Sequence, residues 1–263
     1  MGEPAVEFRD VSLQYRLLSE RGIVSFKEWV IRRLTSKMTY QELIALSHVS
    51  VSVEKGRALG VIGHNGAGKS TFLRLAAGIL VPTEGVAIMR GRLAPVIELG
   101  LGFEAELTGR ENIFFNGALL GRSKAEMATR VDEIVEFAEL ADFIDQPIRT
   151  YSTGMVARLA FAVATTVDAQ VLLLDEVLSV GDESFRRKCN ERLESFRQAG
   201  VTILLVSHDL GAVQSICDEA VWLEHGLIRG HGPASEIVAL YRASVGDEAV
   251  VGGAVAPVSV VPT

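Results

Sequence analysis

Gly63-His64-Asn65-Gly66-Ala67-Gly68-Lys69-Ser70 fits the pattern G-x-x-x-x-G-K-[ST], and Thr71 continues it. The octet follows the apolar run 59–62 and precedes Phe72, Leu73, Leu75 and Ile79, which lie at helical spacing. A strand, a glycine turn and a helix in that order is the context this pattern demands. Glycines let the backbone curl so that successive N–H groups face an anion, and the helix adds its positive end. Lys69 then reaches the β- and γ-phosphates of a nucleotide, and Ser70 offers a hydroxyl to Mg2+. The alternative, a chance glycine turn before a helix, explains neither the lysine nor the hydroxyl.

Downstream, Val171-Leu172-Leu173-Leu174-Asp175-Glu176 reads as a buried strand that delivers two carboxylates at its end. Asp175 suits the Mg2+ shell, and Glu176 suits a general base that polarises an attacking water. His208 follows a second apolar run, 201–206, and precedes Asp209. At a strand end it is placed to meet a γ-phosphate; read alone, it is a surface or capping residue. His48, His64, His225 and His231 show no metal-ligand spacing.

The chain has 263 residues, 26 Lys+Arg, 33 Asp+Glu and a net charge of −7. That balance argues against a sequence-independent nucleic-acid binder, which needs a basic face. Apolar residues make up 48%, so the chain supports a packed core. Cys189 and Cys217 are too few for a disulfide framework or a zinc site. No apolar run reaches the ~18–20 residues that span a bilayer. The opening residues carry no signal-peptide pattern. The expectation is a cytosolic globular protein.

Residues 6–15, 46–53 and 57–62 read as strands. Between the first two lies an interruption, 16–44, where Phe26, Trp29, Val30, Leu34 and Met38 recur at helical spacing beside basic residues. That helix either rests on a partner or membrane surface or closes over the core. Residues 124–140 read as one helix, with Met127, Val131, Ile134, Val135 and Ala138 on one face. Residues 220–223 and 227–229 read as a hairpin. Strands alternating with helices imply an α/β fold, a helical subdomain is expected over about 104–167, and a loose tail from Ser244 onward.

Tyr151-Ser152-Thr153-Gly154-Met155 opens a helix, with Gly154 21 residues before Asp175. It resembles the signature loop of ATP-binding cassette (ABC) ATPases, usually Leu-Ser-Gly-Gly-Gln; Ser152 and Gly154 keep the pattern, whereas Tyr151, Thr153 and Met155 depart from it. The resemblance implies a P-loop fold with a RecA-like core, an antiparallel β subdomain and a helical subdomain, spanning residues 1–243. It also implies a homodimer sandwiching two ATP molecules between the phosphate loop of one chain and residues 151–155 of the other. Ser179-Val180-Gly181-Asp182 resembles the D-loop of the dimer seam, and His208 the switch histidine. Tyr15 is similar in position to the aromatic that stacks on adenine; a structural tyrosine is the other reading. Glu98 stands where most members carry a glutamine that senses Mg2+.

The tyrosine-led loop, the run 175–182 with Phe185, and Glu98-Leu99-Gly100-Leu101-Gly102-Phe103 resemble the polysaccharide-exporter branch, which serves O-antigen, teichoic acid and mycobacterial galactan. The implied partner is a separate polytopic membrane subunit, with a polyprenyl-linked glycan as cargo and the cytoplasmic face of the membrane as location. Only 22 residues follow Tyr241, too few for the carbohydrate-binding domain of many O-antigen members. An importer ATPase shares the same hydrolytic site. A soluble ATPase acting on ribosomes or DNA would carry two cassettes or a coiled coil, and neither is visible.

Overall fold

The structure is a computed structural model that describes residues 3–18, 40–96, 102–166, 168–175 and 182–251. The expected helix at 26–38, Glu98, Glu176 and residues 179–181 lie outside the described residues.

Two sheets organise the described residues. In the smaller, β1 (Val6–Leu18) lies antiparallel between β2 (Tyr40–Val53) and β4 (Glu84–Met89). Val6, Phe8, Val11 and Leu13 are buried, and the step from Phe8 to Val11 is a register shift where Asp10 adopts φ 52°. The extra residue restores the inward alternation for the rest of the strand.

In the larger sheet the order is β5 (Leu93–Val96), β6 (Val171–Asp175), β7 (Thr202–Val206), β3 (Ala58–Ile62), β8 (Glu219–Glu224) and β9 (Leu227–Pro233). The first five are parallel; β9 returns antiparallel to β8 through Glu224-His225-Gly226, with φ 49° and 78° at its last two residues. The interiors of the central strands are apolar because both faces are covered. Leu59, Val61, Val171, Leu173, Leu204 and Val206 face one core, shared with the small sheet and α1 (Lys69–Ala76), where Phe8 stacks on Phe72 at 4.4 Å. Ile62, Leu172, Leu174, Ile203 and Leu205 face the other core, beneath the remaining helices. Each such fully buried side chain is worth about 1.5–3 kcal/mol. Gly60 is required on that second face: a Cβ there would stand 2.6 Å from Val213 Cγ1.

Helices α2 (Gly109–Leu119), α3 (Lys124–Ala128), α4 (Val131–Ala138) and α5 (Thr153–Thr166) occupy the stretch before β6. The single helix expected over 124–140 is two. Thr129 Oγ1 donates to the Glu126 carbonyl at 2.8 Å, and Arg130 N–H bonds Met127 O, a three-residue closure that ends α3. The apolar face nevertheless continues across the break, with Met127, Val131, Ile134 and Ala138 all buried. Helices α6 (Glu183–Gln198) and α7 (Leu210–Ile216) start at Asp182 and Asp209, each capping its own first turn. The tail expected from Ser244 is corrected in part: α8 (Ala234–Val251) continues to Val251, since no proline interrupts it before Pro257. Among the described residues no helix is long and apolar enough to cross a membrane.

Candidate functional site

The phosphate-loop octet leaves β3 and enters α1. Gly63 has φ 148°, and a Cβ there would stand 2.2 Å from the Leu223 carbonyl. Gly68 has φ 106°, with Ala45 O 2.6 Å from a Cβ position. These two glycines let the loop pass between β8 and β2. The β8–β9 turn then ties it down: Gly226 N–H bonds Ala67 O at 3.0 Å, and Ser47 N–H bonds Gly226 O at 2.9 Å. His64 Nδ1 lies 2.7 Å from Asn65 O, and its ring meets His225 at 4.8 Å between centroids.

Lys69 is only 6% exposed, and its Nζ donates to Gly63 O (2.8 Å) and His64 O (3.0 Å). The ammonium is thus held inside the curl of the loop. Helix α1 begins at Gly68 with no side-chain cap and no acidic residue in its first turn. The positive end of its dipole faces the loop, where an anion is favoured.

Register brings the second half alongside. Asp175 pairs with Val206 on β7, and Val206 pairs with Val61 on β3. Asp175 therefore ends β6 level with the exit to the phosphate loop, two strand spacings or about 10 Å away. His208 emerges two residues beyond Val206, exposed at the same edge. Asp209, not His208, caps α7, accepting from Gly211 and Ala212 N–H. This is the carboxyl end of a parallel sheet, where α/β proteins bind ligands.

A cavity of about 610 Å3 opens there. Tyr15, Asn65, Gly66, Gly68, Lys69, Ser70, Thr71 and Asp175 all line it. Gly63, His64 and Ala67 shape the loop from behind. Leu43, Ile44, Ala45 and Arg74 also line the cavity and were not expected from sequence. Arg74 follows Ser70 by one helical turn, a spacing that foretells it. Leu43 faces the site because it pairs with Tyr15 across β1 and β2, a register that sequence spacing does not reveal.

Residues 151–155 do not line this cavity. Ser152 Oγ accepts from Met155 N–H at 3.2 Å, and Thr153 opens α5 exposed. Tyr151 donates its hydroxyl to Phe143 O at 2.7 Å and fills the space above Gly109, where a Cβ would lie 2.3 Å from that hydroxyl. Burial raises its phenol pKa. The tyrosine that departs from the usual leucine is therefore an anchor for the loop. Asp182 accepts from Phe185 N–H at 2.9 Å, which holds its carboxyl below the ordinary range, with nearby Arg158 adding to the shift.

The comparisons with known proteins agree with this geometry. A family model described as ABC transporter matches residues 46–179. The O-antigen export system ATP-binding protein RfbB of Klebsiella pneumoniae is 45% identical over 242 residues, covering 91% of this chain and 98% of that protein. The teichoic acids export ATP-binding protein TagH of Bacillus cereus is 43% identical over 238 residues, covering 90% of this chain; the chain spans 42% of that longer relative. Among solved structures, the dimeric post-hydrolysis state of the ATP-binding cassette MJ0796, bound to ADP and Pi, aligns with a TM-score of 0.70 at 21% identity, covering 87% of this chain and 98% of that one. The fold is that of an ATP-binding cassette, and the chain belongs to the ABC transporter family, in the branch that holds the O-antigen and teichoic acid export ATP-binding proteins.

Proposed function

We propose that this chain binds and hydrolyses ATP as the energy-coupling subunit of an exporter that moves a polyprenyl-linked polysaccharide across the cytoplasmic membrane. The observation that carries the reading is the single cavity joining the phosphate loop, Tyr15 and Asp175. Lys69 neutralises the β- and γ-phosphates, the α1 amides cradle them, and Tyr15 stacks on the base. Ser70 and Asp175 share that cavity and are both oxygen donors, so they fit a Mg2+ ion; Glu98 is its third proposed ligand. When bound, the ion supplies charge neutralisation of the phosphate oxygens. Glu176 takes the proton of the attacking water as the bond from the γ-phosphorus to the bridging oxygen breaks, and His208 holds the γ-phosphate in line.

Residues 151–155 stand away from the cavity of their own chain, and this motivates the dimer. Ser152 and Gly154 close over the γ-phosphate held by a second copy, and Asp182 follows the seam. A separate polytopic subunit carries the glycan, with the cassette on the cytoplasmic face of the membrane. Conditional depletion, followed by analysis of lipid-linked glycans, tests the assignment. Build-up of a polyprenyl-linked polymer on the cytosolic side supports it; an unchanged glycan pool contradicts it.

A further inference from the structure

His64 stands in the phosphate loop but does not line its cavity. Its Nδ1 lies 2.7 Å from the Asn65 carbonyl oxygen, which only accepts, so that nitrogen carries the proton. Nε2 is then a bare lone pair. It is buried and makes no hydrogen bond among the described residues. A desolvated acceptor without a partner costs about 1–3 kcal/mol, and an electrophile placed against it removes that cost. An imidazole whose other N–H is held by a backbone carbonyl is also the usual arrangement of a metal-ligating histidine. The carbonyl fixes the tautomer and raises the basicity of the free nitrogen.

A second imidazole stands beside it. The His225 ring centre is 4.8 Å from that of His64, with the planes tilted by 56°. The two residues are far apart in the chain, so their spacing gives no hint of a shared site. The backbone brings them together. His225 sits in the β8–β9 turn with φ 49°, and the next residue, Gly226, is tied on both sides: its N–H bonds Ala67 O at 3.0 Å, and its carbonyl accepts from Ser47 N–H at 2.9 Å. The main chain of both histidines is thus held, and the side chains adjust. His225 is exposed, so its ring is the half that turns.

Two imidazole nitrogens on one tetrahedral Zn2+ stand about 3.3 Å apart, given Zn–N bonds of about 2.0–2.1 Å. Rings with centres 4.8 Å apart reach that separation by side-chain rotation alone. Glu224, the acid of the same turn, is engaged by Arg229 at 2.6 Å. Among the described residues no group of three or more His, Cys, Asp or Glu side chains could hold a metal ion. Imidazole nitrogens without a carboxylate favour a transition ion over Mg2+. We propose that His64 and His225 form a two-histidine site for Zn2+ or a like divalent transition ion, with water in the remaining positions. The ion ties the phosphate loop to the β8–β9 turn. Because the His64 carbonyl accepts from Lys69 Nζ at 3.0 Å, the tie bears on the segment that positions the lysine. The site goes beyond the hydrolytic reading and stands without it.

Calorimetric titration of ZnCl2 into the full chain, free of nucleotide and in excess MgCl2, tests the site. The expected result is one ion per chain that Mg2+ does not displace, bound at least roughly tenfold more weakly by His225→Asn. Asparagine tolerates the left-handed backbone that His225 adopts, so the loss is not one of folding. His48→Asn, which removes a histidine paired with Asp10 instead, leaves the binding unchanged. Zn2+ also raises the urea midpoint of the wild type by mass action, and the rise disappears in His225→Asn and in His64→Asn. A His225→Asn chain that binds Zn2+ as tightly as wild type overturns the proposal. So does a wild-type chain that takes up no ion, or one from which MgCl2 displaces it. Should His64→Asn fail to fold, the comparison of His225→Asn with wild type decides alone.

Discussion

Gly63 and Gly66 belong to one loop and face different constraints. At Gly63 an added Cβ meets the Leu223 carbonyl at 2.2 Å, backbone against backbone, so one strand or the loop has to move. At Gly66 nothing lies within 4 Å, and the only cost is the φ of 81°, about 1–2 kcal/mol for a residue with a Cβ. Gly63→Ala is therefore expected to lose clearly more unfolding free energy than Gly66→Ala in urea titrations; equal losses would contradict the loop geometry. Lys69 was legible from sequence because its chemistry depends on local spacing. Its partners, the Gly63 and His64 carbonyls, follow from that same curl. The two cysteines are inert by environment: burial pushes both thiols up to about 12, far from the thiolate that reacts.

Two helices in the region before β6, α2 and α3, start with paired caps. Thr108 Oγ1 accepts from Glu111 N–H, and Glu111 Oε2 accepts from Thr108 N–H at 2.8 Å; Ser123 and Glu126 repeat the arrangement. The backbone hydrogen bond from Thr108 holds the Glu111 carboxyl below its ordinary 4.5. A lowered carboxyl pKa means that its stabilisation is present above the unfolded value and is lost as pH falls through the folded one. Thr108→Ala is expected to cost about 1 kcal/mol near neutral pH, a penalty that narrows once Glu111 is protonated. Urea unfolding at pH 7 and at pH 3 checks this, and a pH-independent penalty would contradict it. At this scale the sequence was readable where periodicity is strict. The runs 171–174 and 201–206 are buried parallel strands, and 220–229 is a hairpin. It misled at 124–140, because the apolar face continues through Thr129 and Arg130 while the backbone hydrogen bonding does not. The cap pattern Ser123-x-x-Glu126 marks the start of α3 in plain sequence; the three-residue closure that ends it has no comparable motif.

Across the whole molecule, two loops stand apart: the phosphate-loop octet lines the 610 Å3 cavity, while residues 151–155 open α5 outside it. Tyr151, pinned to Phe143 and packed over Gly109, anchors the second loop. Leu43 and Ile44, each 53% exposed, border the cavity beside Tyr15. These features concern surfaces that a single chain leaves open, which is why sequence motifs name the residues of each half and say little about how the halves meet. In the proposed dimer a second copy completes the site. Sedimentation of Glu176→Gln, alone and combined with Ser152→Arg, in MgATP and in MgADP tests it most directly. The expected outcome is a dimer for Glu176→Gln in MgATP only, abolished by Ser152→Arg while each monomer still binds ATP. A nucleotide-loaded Glu176→Gln chain that stays monomeric, or a dimer indifferent to Ser152→Arg, would contradict it.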